Sequence, residues 1–197
     1  MITSKELYHY YVAQDRLARG MHAPTLGQSL KQWIYMDPTW KFQRRLRKLE
    51  YQFNTKTTIF GTLYYYWLEY RYKKLSIALG FSIPKNACGP GLSLPHYGNI
   101  VINSRAKIGK NCKIHSGVNI GAAGGEPEAP IIGDNVYIGP GAKLYGNIII
   151  GNNIAIAANA CVGKSFIEEN ILIGGIPAKK IKSIDINRIL KHIKFEN

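Results

Sequence analysis

Two hydrophobic rhythms divide this chain. Over residues 1–80 the apolar positions recur at helical spacing: Leu26, Leu30, Trp33 and Ile34 form one set, and Phe42, Leu46, Leu49 and Phe53 another. Asp37-Pro38-Thr39 predicts a helix start, because an Asp side chain can cap a helix whose first position is the pre-set φ of proline. A third helix is predicted from Thr57 or Thr58 to Leu79, stopped by Gly80. Its aromatic residues Tyr64, Tyr65, Tyr66, Trp67, Tyr70 and Tyr72 suit two uses. Packing between helices and against neighbouring subunits is the reading that the spacing favours, and contact with a membrane surface is the other.

From about residue 98 the rhythm becomes a strict six. Aliphatic residues stand at Ile102, Ile108, Ile114, Ile120, Ile132, Ile138, Leu144, Ile150, Ile156 and Val162, and only the slot at Glu126 breaks the series. A second apolar or small residue precedes most anchors by two positions, and glycine often follows them. A helix of 3.6 residues per turn would rotate such a row out of register. A flat strand would be interrupted by Gly and Asn every six residues. The period fits a triangular coil with three six-residue sides per turn, the parallel β-helix of hexapeptide repeats. On this grid Gly or Asn after the anchor relaxes the corner, and Gly121 to Pro130 is a loop extruded from one corner, a placement that often carries function.

Composition narrows the partners only partly. The net charge is +14 and is spread: Lys and Arg outnumber acids 13 to 5 over residues 1–80 and 13 to 7 over residues 81–197. A basic surface attracts polyanions, whether nucleic acid, acidic lipid or a phosphate-bearing co-substrate. No nucleic-acid module is recognisable, so nucleic acid is not an expected partner. Cys88, Cys112 and Cys161 form no CxxC pair, which argues against a disulfide framework or a cysteine zinc site. The polar first nineteen residues do not read as a signal peptide, and the apolar stretch Ile59–Leu68 is about half of what a spanning helix needs. A cytoplasmic protein is expected.

Of five histidines, His9, His22 and His192 fall outside the coil in polar contexts that read as solvated. His96, in Pro95-His96-Tyr97-Gly98, opens the coils, and His115 occupies a corner slot usually held by Gly or Asn. A lone histidine is more often a structural hydrogen-bonder than a catalyst, so spacing alone does not decide their roles. Residues 82–182 resemble the serine acetyltransferase branch of the hexapeptide acyltransferases, and especially the O-acetyltransferases of bacterial surface polysaccharides. The resemblance rests on LPHYGNIVIN (94–103), AKIGKNCKIHSGVNIGA (106–122), IIGDNVYIGPGAKLYGNIIIG (131–151) and GGIPAKKI (174–181), with Asp37-Pro38 matching the start of the family's helical hairpin.

That resemblance implies a left-handed parallel β-helix preceded by a small α-helical domain. The expected division is 1–80 helical, 81–182 coil, and 183–197 a helical tail. It implies an acetyl-CoA-dependent O-acetyltransferase with His96 as general base and no metal. An alcohol is a poor nucleophile at neutral pH and an imidazole suits its activation. Acetyl-CoA is expected in a groove between the coils of a homotrimer, with pairing of trimers into hexamers left open. Ala122, Ala123, Pro140 and Ala158 map to pantetheine contacts, and Lys179, Lys180 and Lys164 to the nucleotide phosphates. Asp37 and His115 map to the acceptor cleft.

The departures concern the acceptor. Serine acetyltransferases place Asp directly before the catalytic histidine and a second Asp upstream, whereas this chain has Pro95 and no acid between Gly80 and Ala87. Ser82 or a backbone carbonyl is left to orient the ring. The family's Arg-His pair in the extruded loop falls near Glu128 and Ala129. Glu and Ala do not replace a cationic clamp for a carboxylate, which favours a sugar or glycan hydroxyl over free L-serine. Serine O-acetylation stays as the alternative. A zinc hydrolyase of the carbonic-anhydrase type would need three histidine ligands where the coil offers two. A non-catalytic β-helix assembly protein, docking its basic helices on membrane or nucleic acid, would have no affinity for acetyl-CoA.

Overall fold

A computed structural model describes residues 1–21 and 37–192. The expected helix through Leu26, Leu30, Trp33 and Ile34, and His22, lie outside the described residues. Three long helices precede the coil: α1 (Lys5–Ala18), α2 (Pro38–Thr55) and α3 (Ile59–Leu79). Asp37 caps α2 with its carboxylate, accepting from the backbone N–H of Thr39 and Trp40, and Pro38 takes the first turn. Thr58 caps α3, and Gly80 ends it in the left-handed conformation at φ 72°. Phe42, Leu46 and Leu49 are buried as their spacing predicts. Phe53 is not: at the last turn of α2 it is 42% exposed, lying against Tyr65 beneath the ammonium groups of Lys56 and Lys85.

The six-residue rhythm becomes three parallel sides. Side one holds β1 (Phe81–Ser82), β2 (Ile100–Ile102), β5 (Asn119–Gly121), β8 (Lys143–Tyr145) and β11 (Cys161–Val162). Side two holds β3 (Lys107–Ile108), β6 (Ile131–Ile132) and β9 (Ile149–Ile150). Side three holds β4 (Lys113–Ile114), β7 (Tyr137–Ile138), β10 (Ala155–Ile156) and β12 (Ile171–Gly175), and ends on the antiparallel β13 (Ala178–Ser183). All ten anchors are buried, as is the row two residues before them. Fully burying an aliphatic side chain contributes about 1.5–3 kcal/mol. An exposed ion pair such as Lys110–Asp134 contributes about 0–1 kcal/mol. The stacked anchors therefore hold the coil together.

The corners differ in one respect from the sequence reading. The glycines directly after the anchors are required by the neighbouring turn: a Cβ on Gly109 would sit 2.6 Å from the Gly133 carbonyl oxygen. The left-handed positions fall two residues later, at Asn111, Asn135 and Asn153, all near φ 57°. These three form a ladder between sides two and three, each amide donating to the next at 2.9 Å. Asparagine suits the site because it tolerates a positive φ and its amide can stack along the axis.

The helices and the coil share one core. Phe42, Leu46, Tyr65, Leu68 and Tyr72 are continuous with Phe81, Ile83 and the first anchors. Within that contact lies Arg47, fully buried, which ties three parts of the chain together. Its guanidinium meets both Asp15 oxygens on α1 at 2.8 and 3.1 Å and Glu50 on α2 at 3.0 Å. It also donates to the carbonyls of Cys88 and Gly89 in the first coil, at 2.9 and 2.6 Å. The two acids reach on into the coil, since Asp15 accepts from the Leu92 N–H and Glu50 from the Asn86 N–H.

The aromatic residues of α3 divide. Tyr65 and Tyr72 are buried against α2 and the coil, while Tyr64, Tyr66, Trp67 and Tyr70 face outward. Packing within the chain therefore accounts for only two of the six. Of the tail expected to be helical, the described part extends β13 to Ser183 and adds a single 3-10 turn at Ile186–Arg188. The reason is local: Ile186 and Leu190 fold back over Ala155 and Tyr137 on side three, which bends the chain. His192, read as solvated, has a buried Nε2 instead. No helix among the described residues is long and apolar enough to cross a membrane.

Replacing Arg47 with Ala leaves two buried carboxylates without their cation, and breaking a buried pair in this way costs about 3–5 kcal/mol. The expected result is a loss of that size in urea unfolding. Replacing Arg47, Asp15 and Glu50 together with apolar residues of similar volume is expected to cost less than the single change.

Candidate functional site

His96 stands out from the coil because its corner is longer than the others. Ser93 pairs beside Lys113 and Val101 beside Asn119, so eight steps on the first turn match six on the next. The two extra residues bulge at the corner between sides three and one, and His96 and Tyr97 are both exposed there. The next turn sets His115 beneath, with ring centroids 6.0 Å apart, and His115 in turn lies 5.2 Å from the Tyr137 ring. Among the described residues no hydrogen bond orients the His96 ring, and Ser82 does not supply one.

His115 differs from its neighbour in electrostatics. Its Nε2 is buried and has no hydrogen-bond partner among the described residues. Burial pushes its imidazole below the usual range, and the charges of Lys113 and His96 add to this. The His192 imidazole is likewise pushed down, by burial first and then by the charge of Lys113.

The α2 N-terminus meets this corner through a residue that sequence reading passed over. Arg19, at the end of α1, donates to Asp37 at 3.0 Å, to Thr39 at 2.8 Å and to Gln43 at 3.0 Å. It also donates to the Leu94 carbonyl at 2.5 Å, two residues before His96. Gln43 adds bonds to the Leu92 carbonyl and the Leu94 N–H. Asp37 is thus held at the histidine corner. Burial alone would raise its carboxyl, but hydrogen bonds from Thr39 and Trp40 and the Arg19 charge hold it below the usual range. Nothing in the spacing announces Arg19, whose partners lie 18 to 75 residues away.

The residues mapped to acetyl-CoA fall on two corners. Pro140 and Ala158 stack on successive turns of the His96 corner, where the Pro140 carbonyl accepts from Asn159 at 2.9 Å. The β12–β13 hairpin closes that column, with Lys179 opposite Gly174. Four coil steps of about 4.8 Å put roughly 19 Å between His96 and the hairpin. Both Lys179 and Lys180 are exposed, and Lys180 pairs with Glu168. Ala122, Ala123 and Lys164 lie elsewhere, on the corner between sides one and two. That corner bears the extruded loop, whose extra six residues appear as a register of 24 between Ile120 and Leu144 where Val101 and Asn119 differ by 18. One chain therefore does not bring the two sets together.

Residues 129–164 match the bacterial transferase hexapeptide family (six repeats). A serine acetyltransferase of Staphylococcus xylosus is 38% identical over 116 residues, which are 58% of this chain and 53% of that protein. One from Buchnera aphidicola is 28% identical over 201 residues, covering 93% of this chain and 74% of the relative. The chain thus spans about half to three quarters of the length of these curated relatives. Among solved structures, a Neisseria gonorrhoeae serine acetyltransferase in complex with serine superposes with a TM-score of 0.65 at 26% identity, over 89% of this chain and 69% of that one. This chain shares their fold. It is a left-handed β-helix with helices before it. These relatives are named for serine, not for the surface-polysaccharide type toward which the sequence reading leaned. As for a metal, no three His, Cys, Asp or Glu side chains gather to hold one among the described residues.

The lowered histidines set a pH dependence. A histidine that resists protonation when folded is protonated more readily when unfolded, so stability falls as pH drops through the unfolded value near 6.5. His115→Asn and His192→Asn are each expected to flatten the fall in melting midpoint between about pH 7.5 and 5.5, measured in buffers of equal ionic strength.

Proposed function

We propose that this chain is an acetyl-CoA-dependent O-acetyltransferase in which His96 is the general base. The observation that carries this reading is the lengthened corner, which exposes one histidine at the foot of a column of small residues ending in a basic hairpin. An imidazole nitrogen of His96 takes the proton of an acceptor hydroxyl as its oxygen attacks the thioester carbonyl. Backbone N–H groups at the corners are the candidates for holding the tetrahedral oxyanion. Collapse breaks the carbon–sulfur bond, and the imidazolium returns its proton to the coenzyme A thiolate. Pantetheine lies along Pro140 and Ala158, and Lys179 and Lys180 take the phosphates. The Lys180–Glu168 pair is exposed and so worth about 0–1 kcal/mol, little enough for a phosphate to replace the carboxylate.

The split of the mapped residues supports assembly. Ala122, Ala123 and Lys164 on one corner complete the site of a neighbouring copy whose His96 corner faces them. A closed ring of three satisfies every corner in this way. Trimers are therefore part of the proposal.

The names of the relatives support L-serine as acceptor, the reading that the sequence departures placed second. One observation supports a sugar or glycan hydroxyl instead: Arg19 already offsets the charge of Asp37, and the four donors on its Oδ1 leave Oδ2 open to accept from a neutral hydroxyl, with no unmatched negative charge to select the ammonium of serine. Free-thiol release from acetyl-CoA, with L-serine and with sugar acceptors in parallel, separates the two. His96→Ala is expected to lower turnover by about 10²- to 10⁴-fold while acetyl-CoA still raises the melting midpoint. Undiminished turnover in that variant, or no shift in the wild type, would sink the reading.

A further inference from the structure

We propose that the outward face of α3 docks on an anionic lipid bilayer. Ile59, Leu63, Tyr66, Tyr70 and Ile77 follow one another at helical spacing, opposite the buried row Tyr65, Leu68, Tyr72 and Ser76. Each of the five is more than 60% exposed, and Phe60 and Trp67 flank them. A helix apolar on all sides normally has both faces covered, and a continuous exposed apolar patch marks a binding surface. Beyond Ile77 the face runs into a groove of about 420 Å³ lined by Lys73, Ile83, Pro84 and Ile102.

Charge decides what covers it. Lys73 and Lys74 interrupt the apolar row, and Arg71 lies 4.7 Å from the Trp67 ring. From α2, Arg45 reaches across to donate to the Arg71 carbonyl at 3.2 Å and sets another guanidinium beside this helix. Of the five acids in residues 1–80, Asp15, Asp37, Glu50 and Glu69 are already in ion pairs within the chain. A second copy meeting this face symmetrically would set cations against cations with almost no acid to offset them. An anionic headgroup layer supplies the missing charge, while tyrosine and tryptophan rings settle at the interface and lysines reach the phosphates. The contact is peripheral, and it holds whether or not the chain transfers acetyl groups.

The test is co-sedimentation of the full chain with vesicles of phosphatidylcholine alone or mixed with phosphatidylglycerol. Binding is expected only to the mixed vesicles and is expected to weaken in high salt. Lys73→Glu/Lys74→Glu is expected to reduce affinity about tenfold or more, and Tyr66→Ser/Tyr70→Ser to reduce it at unchanged melting midpoint. A vesicle-induced fluorescence change is expected in the wild type and not in Trp67→Phe. Absence of wild-type binding, or equal binding by the charge-reversed variant, overturns the proposal. So does a wild type that ignores vesicles but loses a larger assembly on Tyr66→Ser/Tyr70→Ser in sedimentation velocity, since the face then joins two copies.

Discussion

The buried guanidinium of Arg47 is the contact on which the geometry of the rest depends. It satisfies two acids from two helices and two carbonyls from the first coil, at a fully buried point. Burial pushes the Glu50 carboxyl up, and the Arg47 charge, its hydrogen bond and the Asn86 N–H oppose that. Such a cluster adds little net stability over apolar packing, but it is intolerant of misalignment. Its consequence is that α1 and α2 can dock on the coil in one register. That register brings Arg19 and Gln43 to Leu92 and Leu94, and so fixes the chain just before His96.

The coil contributes a different kind of order. Hydrophobic anchors at a period of six stack into three sides, and every corner repeats at the same height on each turn. Departures from the repeat therefore stand out in the register. Two added residues lift His96 out of one corner, and six added residues extrude the loop from another. The two departures lie at opposite ends of side one, which is why the proposed site draws on a neighbouring copy.

Much of this architecture was legible beforehand, since a six-residue period has few structural solutions and each anchor slot carries its own signal. The Asp37 cap, the Gly80 stop and the extruded Gly121–Pro130 loop are short-range devices, and they too could be read. What escaped were contacts between residues far apart in sequence. Arg19 and Arg47 look like ordinary surface cations in helical segments, and only docking shows what they hold. His192 appears solvated until the tail folds over side three. The corner glycines were assigned a conformational role where the neighbouring turn simply leaves no room for a Cβ. The two-residue bulge at His96 was invisible because the first turn lacks a regular anchor spacing against which to measure it.

The central claim is that His96, the small-residue column and the β12–β13 hairpin form one acyl-donor groove. A crystal structure of the full chain with coenzyme A bound tests it most directly. The account predicts the thiol within hydrogen-bond reach of His96, the pantetheine along Pro140 and Ala158, the phosphates at Lys179 and Lys180, and Ala122 and Ala123 of a neighbouring copy across the groove. Coenzyme A bound away from the His96 corner, or within a single chain with no neighbouring copy beside it, would contradict it.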